Sequence, residues 1–245
     1  MKAMVLAAGV GSRLRPLTDR LPKALVEVAG TPLLEIVLRR LEAAGVREVI
    51  VNTFHHAALL EDYLRARAPQ GLRIEIAPED VLLDTGGGLR NAAWFFDDGQ
   101  PFFLHNADVV SGVDLRGLAR AQRESGALAV LSVRAREASR RFLFDARGQL
   151  CGWERTGTGE RDWAAAPVPA STALGFDGIQ VIAPAIFDKL TETGAFSLTR
   201  AYLRLAGAGE RILACRADDT YWADIGSAAK LAAVEQHVAA TGLPA

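Results

Sequence analysis

The chain has 245 residues, 50% of them hydrophobic, which is enough to bury a full core and fits one α/β domain. Lys and Arg total 28 against 29 Asp and Glu, so no charge bias points to nucleic acid or a membrane surface, and a small-molecule partner is expected. Two cysteines, Cys151 and Cys215, are too few for a disulfide framework and too far apart for a CxxC metal clip. No apolar run approaches the roughly 20 residues that cross a bilayer, and the N-terminus turns polar too soon for a signal peptide, so a cytoplasmic protein is expected.

Strand and helix patterns alternate along the first half. An apolar run from Met4 to Ala8 reads as a buried strand. Thr31-Pro32 reads as a helix start with proline at the first helical position; Leu34, Val37, Leu38 and Leu41 form its apolar stripe and Gly45 stops it. A strand from Glu48 to Asn52, a helix from Ala57 to Ala68 and an alternating strand from Leu72 to Ala77 follow. A third helix opens at Gly86-Gly87-Gly88 and buries Leu89, Ala92, Ala93 and Phe96. Strand Pro101 to Asn106, helix Leu115 to Ser125 and strand Leu128 to Arg134 continue the alternation, which implies right-handed crossovers. Beyond residue 134 shorter strands are expected at Arg141 to Asp145, Gln149 to Trp153 and Ala170 to Ile182. Helices at Pro184 to Leu190 and Ser197 to Ala206, strands at Arg211 to Arg216 and Thr220 to Ile225, and a helix from Ser227 complete the chain. The expected fold is α/β: a Rossmann-like mixed, mostly parallel sheet with helices on both faces and ligands at the carboxyl ends of the strands.

The first strand breaks into Gly9-Val10-Gly11-Ser12-Arg13-Leu14-Arg15-Pro16-Leu17-Thr18, followed by Leu21-Pro22-Lys23. Glycines let backbone N–H groups approach a phosphate where a side chain would intrude. Arg13, Arg15 and Lys23 add positive charge, the arginines as two-pronged donors and the lysine as a point charge, so a triphosphate fits. A P-loop is excluded, since Lys23 follows Pro22 and no Gly-Lys-Ser/Thr string exists. A dinucleotide fingerprint is excluded as well, since Leu14 stands where its third small residue would be and Pro16 disfavours an early helix.

Three further strings carry chemistry. In Asp84-Thr85-Gly86-Gly87-Gly88 the glycines at a helix start would let a flat base or sugar lie against free backbone groups, or form no more than a flexible turn. His105-Asn106-Ala107-Asp108 ends an apolar strand, which puts the Asp108 carboxylate where it could hold Mg²⁺ or cap the next turn. Trp222-Ala223-Asp224-Ile225-Gly226-Ser227 is a strand end followed by a capped helix, with Asp224 at the tip. His105 and the pair His55-His56 lack spaced partners and read as structural.

Leu6 to Thr18 and Pro22-Lys23-Ala24-Leu25 together resemble the signature of sugar-1-phosphate nucleotidylyltransferases. The resemblance implies the nucleotide-diphospho-sugar transferase fold in one domain over residues 1–245, with 1–134 as nucleotide-binding half and 135–245 as sugar-binding and metal-completing half. It implies that Leu6, Ala8, Gly9, Gly11, Ser12, Arg13 and Lys23 wrap the triphosphate, with Arg13 stabilising departing pyrophosphate and Lys23 at the reacting centre. Thr85, Gly86 and Gly87 would recognise the base, with Asp84 where Glu is frequent, and Asn106 would also touch the nucleotide. Asp108 and Asp224 resemble the two metal-binding aspartates, although Ala107 replaces the usual glycine. The strand Gly175-Phe176-Asp177-Gly178-Ile179 resembles the border of the sugar pocket, with Asp177, Gly178 and Asp108 facing the sugar. The Glu-Lys-Pro string of many larger relatives is replaced by Trp153-Glu154-Arg155, with Arg140-Arg141 nearby.

The implied reaction joins an NTP to a sugar 1-phosphate with Mg²⁺, without nucleic acid or membrane, in a monomer or small homo-oligomer. The Leu-Ala-Ala-Gly opening and the Thr-Gly-Gly-Gly string look most like N-acetylmuramate 1-phosphate uridylyltransferases of peptidoglycan recycling, with mannose 1-phosphate guanylyltransferases next. The alternative from another class is a catalytically silent nucleotide-sugar sensor, which should have lost charge at Arg13, Lys23, Asp108 or Asp224.

Overall fold

The computed structural model describes residues 1–67 and 69–244. In chain order the elements are β1 (Lys2–Leu6), β2 (Glu27–Val28), β3 (Thr31–Pro32), α1 (Leu33–Ala43), β4 (Glu48–Thr53), α2 (Ala57–Arg67), β5 (Arg73–Pro78) and α3 (Asp84–Asn91). They continue with β6 (Phe102–Asn106), β7 (Val109–Ser111), α4 (Leu115–Ser125), β8 (Ala129–Arg134), β9 (Arg140–Phe144), β10 (Leu150–Arg155) and β11 (Glu160–Trp163). The last are β12 (Thr172–Ile182), α5 (Ile186–Lys189), α6 (Leu198–Gly207), β13 (Ile212–Arg216), β14 (Trp222–Asp224) and α7 (Ala228–Thr241). Ala68, expected to end the second helix, and Ala245 lie outside the described residues. Among the described residues no helix is long and apolar enough to cross a membrane.

The architecture is α/β with mixed sheet pairing, and the chain groups into two compact units that interleave along the sequence. The first comprises Met1–Leu83, Leu104–Val113 and Thr220–Ala245; the second comprises Asp84–Phe103 and Asp114–Asp219. The chain passes between them after Leu83, Phe103, Val113 and Asp219, the second crossing falling within β6.

In the first unit β1 and β4 run parallel with Lys2 opposite Glu48, and β4 and β5 run parallel with Glu48 opposite Arg73. Parallel strands are covered on both faces, which is why Ala3, Met4, Val5, Val49, Ile50 and Val51 are all buried without alternation. The helix expected from Pro32 starts one residue later, because Val28 and Glu27 pair with Thr31 and Pro32 as a short hairpin and hold Pro32 extended. Leu14, Val26, Leu33, Val110, Ile225 and Val234 form a core that ties the loop after β1 to β7, β14 and α7.

In the second unit β11, β10, β9 and β12 follow one another as antiparallel neighbours; β8 pairs antiparallel with β12, and β13 pairs parallel with β8. Helix α4 lies against β8 and β12, and α6 against β10. Asp114 caps α4 by accepting the Gly117 N–H at 2.9 Å, and Gly126 ends it in the left-handed region.

Candidate active site

The loop after β1 is built around Gly11, whose φ of +66° favours glycine and starts a 3-10 turn over Ser12–Leu14. Its carbonyl accepts the Leu14 N–H at 2.9 Å and the Thr18 hydroxyl at 2.9 Å. A Cβ at Gly11 would stand 2.9 Å from Thr18 Cγ2 and 3.1 Å from Lys23 Cβ, so space as well as conformation excludes a side chain. A Cβ at Gly9 would meet nothing within 4 Å, so no contact within the chain requires glycine there. Leu14, buried in the core, anchors the turn that presents Ser12 and Arg13.

A buried relay fixes where this loop begins. The Ala7 N–H donates to Asn52 Oδ1 at 2.7 Å, and Asn52 Nδ2 donates to Glu79 Oε1 at 2.7 Å. Glu79 Oε2 accepts the Leu83 N–H at 2.9 Å. Asn52 and Glu79 sit at the carboxyl ends of β4 and β5, and neither was expected as a site residue. The legible signal was a polar residue closing an apolar strand, because a buried polar group without a partner would be costly. Leu6 spends its carbonyl on the Ala107 N–H at 3.0 Å, and Ala8 is buried, so both shape the loop through the backbone.

The same link brings the turn after β6 to the end of β1, and there Lys23 Nζ donates to Asp108 Oδ2. Asp108 is tied to the second expected aspartate: β14 pairs with β7, Asp224 opposite Val109, and the Ile225 N–H donates to the Asp108 carbonyl at 2.8 Å. Lys230, on the first turn of α7, donates to Asp224 Oδ1. The other oxygen, Oδ2, lies 2.9 Å from where a Cβ of Gly226 would stand, and Arg13 Nη2 lies 3.1 Å from the same point. The Lys23–Asp108 pair and the Asp224 carboxylate near Arg13, from positions far apart in sequence, are thus joined through the Asp108–Ile225 backbone bond in one unit. Three cations around two carboxylates leave an excess of one positive charge, the sign that receives phosphate.

Arg40 of α1 holds β7 in place, donating to Ser111 Oγ at 3.1 Å and to the Val113 carbonyl at 2.6 Å, and burial lowers its pKa. His105 is 1% exposed, with Nδ1 2.8 Å from the Asn106 carbonyl. Burial, and secondarily the Arg40 charge, pull its pKa down to about 4, as befits a neutral core histidine.

In the second unit the glycines expected to open a helix lie inside α3. The Gly86 and Gly87 N–H groups both donate to the Phe196 carbonyl, at 2.9 and 3.3 Å, which corrects the expectation that they are free. Thr85 Oγ1 accepts the Leu198 N–H at 3.0 Å. Asp84 adopts φ +58° and its carboxylate accepts the Thr85 N–H at 2.6 Å, a local bond that a short acidic side chain can make in the left-handed region.

Asp177 is 0% exposed. Its Oδ1 accepts Arg134 Nε at 2.8 Å, and its Oδ2 accepts Arg134 Nη2 at 3.1 Å and Ser132 Oγ at 2.8 Å. This corrects the expected sugar contact for the carboxylate: a bidentate, fully buried pair faces the sheet. Gly178 beside it has φ +75° where the β12 register against β8 shifts between Phe176 and Gln180, so the bulge requires glycine. Glu154 is gripped by Arg141 at 2.6 Å and Arg161 at 3.0 Å, and Arg155 lies 3.5 Å from Glu160.

The chain is 50% identical over 111 residues to an N-acetylmuramate alpha-1-phosphate uridylyltransferase of Caulobacter vibrioides, covering 44% of this chain and 46% of that protein. It is 40% identical over 116 residues to a mannose-1-phosphate guanylyltransferase of Mycobacterium tuberculosis, covering 47% of this chain and 32% of that protein. The matches thus span less than half the length of these curated relatives. A solved UDP-glucose pyrophosphorylase from Acinetobacter baumanii has the same fold, with a TM-score of 0.79 over 97% of this chain and 92% of that one at 20% identity. The nucleotidyl transferase family matches residues 2–142, more than half of the sequence and the part that carries the glycine loop, Lys23 and Asp108, and the chain belongs to that family.

Proposed function

We propose that the protein transfers a nucleotidyl group from an NTP to a sugar 1-phosphate, releasing pyrophosphate and an NDP-sugar. The observation that carries this reading is that the Lys23–Asp108 pair and the Asp224–Arg13 neighbourhood are joined by one backbone bond beside a glycine loop with open space at Gly9. An anionic oxygen of the sugar phosphate attacks the α-phosphorus in line; a new P–O bond forms, and the α–β bridging bond breaks with its electron pair leaving on pyrophosphate. No protein nucleophile is required, since positioning and charge neutralisation supply most of the catalysis in such transfers. Lys23 exchanges its bond to Asp108 for the reacting phosphate, and the Arg13 guanidinium takes up charge that develops on the leaving group. Backbone groups of Gly9, Gly11 and Ser12 cradle the β- and γ-phosphates, and Asn106 at the end of β6 lines the nucleoside.

The donor set fits a hard divalent cation. Asp108 and Asp224 offer oxygens only, and among the described residues no group of three or more His, Cys, Asp or Glu side chains could complete a metal cage. Mg²⁺ is the cation that accepts one or two carboxylates and fills its shell with phosphate oxygens and water, and when bound it would supply charge neutralisation to both phosphate groups.

For the substrate, the uridylyltransferase of Caulobacter vibrioides supports UTP with N-acetylmuramate 1-phosphate. The Mycobacterium tuberculosis relative supports a second reading, GTP with mannose 1-phosphate. Pyrophosphate release with UTP, GTP, dTTP, CTP and ATP against N-acetylmuramic acid, N-acetylglucosamine, glucose and mannose 1-phosphates decides between them. Turnover confined to UTP and N-acetylmuramate 1-phosphate is the expected result; turnover confined to GTP and mannose 1-phosphate would replace it, and silence despite NTP binding would leave the sensor reading.

A further inference from the structure

We infer that Lys230 is a built-in competitor of the divalent cation at Asp224; the inference rests on the metal reading of Asp108 and Asp224 given above. The Lys230 ammonium donates to Asp224 Oδ1, and the Oδ2 side of the same carboxylate faces the point shared with Arg13 Nη2. Both oxygens thus have a cation near them before any metal arrives. Lys230 differs from Lys23 in position and in freedom. Lys23 is 15% exposed and belongs to the glycine loop, whereas Lys230 is 50% exposed and sits on α7, whose N-cap Ser227 accepts the Lys230 N–H at 3.4 Å.

Half-exposed ion pairs are weak, so Lys230 can be displaced from Asp224 rather than blocking it permanently. While in place it opposes a divalent cation twice, by occupying a ligand oxygen and by like-charge repulsion. The Lys230 ammonium therefore sets the metal affinity of the substrate-free protein, and it keeps Asp224 neutralised and oriented until metal is present.

The test is Mn²⁺ binding to the substrate-free protein, read by calorimetry and by the loss of the free-ion EPR signal, in the parent, Lys230→Gln, Lys230→Arg, Asp224→Asn and the Asp224→Asn/Lys230→Gln pair. Lys230→Gln is expected to bind Mn²⁺ about three- to tenfold more tightly, while Lys230→Arg stays within about twofold of the parent. In the Asp224→Asn background the Lys230 substitution should have a clearly smaller effect, because only like-charge repulsion remains and the cycle isolates the coupling through the carboxylate. Unchanged or weaker binding in Lys230→Gln, with Asp224→Asn still weakening binding, overturns this inference and leaves the metal site standing. Binding that is indifferent to Asp224→Asn overturns both. Since Lys230 is half exposed, circular dichroism of the variants should match the parent.

Discussion

Asp177→Asn separates a buried structural pair from a sugar contact. The native carboxylate accepts Arg134 Nε at 2.8 Å, Arg134 Nη2 at 3.1 Å and Ser132 Oγ at 2.8 Å while being 0% exposed. The amide keeps one acceptor, turns an N–H₂ group towards donors, and removes the negative charge that Arg134 grips from two sides. Breaking such a pair from one side costs about 3–5 kcal/mol. For a chain of this length a kilocalorie corresponds to roughly 2–4 °C, so the melting temperature should fall by about 6–20 °C. Thermal unfolding followed by circular dichroism reads this directly, and kinetics well below the transition should give a KM for the sugar phosphate within about twofold of the parent. A melting temperature within about 2 °C of the parent, with KM raised tenfold, would refute the reasoning and return the carboxylate to the ligand.

Other outcomes follow from the first unit. Gly226→Ala puts a methyl 2.9 Å from Asp224 Oδ2 and 3.1 Å from Arg13 Nη2; these side-chain ends can shift, so stability should change by less than about 1 kcal/mol. Turnover should nevertheless fall by about 10- to 100-fold, and a parent-like rate would show that the displaced groups are not catalytic. His105, with a folded pKa of about 4 against an ordinary 6.5, stays neutral in the fold while the unfolded chain takes up a proton. Its contribution is therefore intact above pH 6.5 and is lost between about pH 6.5 and 4, by up to about 3 kcal/mol. Urea denaturation across that range should lose this component of the pH slope in His105→Gln, and identical slopes would contradict it.

Much of the fold was legible because local chemistry and tertiary packing agree. The α4 limits follow from Asp114 and Gly126, a side-chain cap and a left-handed stop that act within a few residues. Strand β11 escaped notice because Glu160, Arg161 and Asp162 carry no apolar alternation; its backbone is strand only because β10 pairs with it. The partners of the α3 glycines are equally remote in sequence, since Phe196 supplies the carbonyl that Gly86 and Gly87 use. At the candidate site, the loop's cations and the strand-end carboxylate pointed to Arg13, Lys23 and Asp108, and the family resemblance pointed to Asp224. Lys230 was invisible because its partner lies on a strand rather than one helical turn away. Asn52, Glu79 and Arg40 act through hydrogen bonds between elements, which no local pattern encodes.

The central claim is that two aspartates on adjacent backbone serve nucleotidyl transfer, and one comparison tests it most directly. Pyrophosphate release would be measured with Mg²⁺ and the preferred substrate pair for the parent and for Asp108→Asn/Asp224→Asn, together with nucleotide affinity. The account predicts turnover by the parent and a loss of about a thousandfold or more in the double variant, with nucleotide affinity changed by less than about tenfold. Near-parental turnover in the double variant, or a parent silent with every pair, would contradict it.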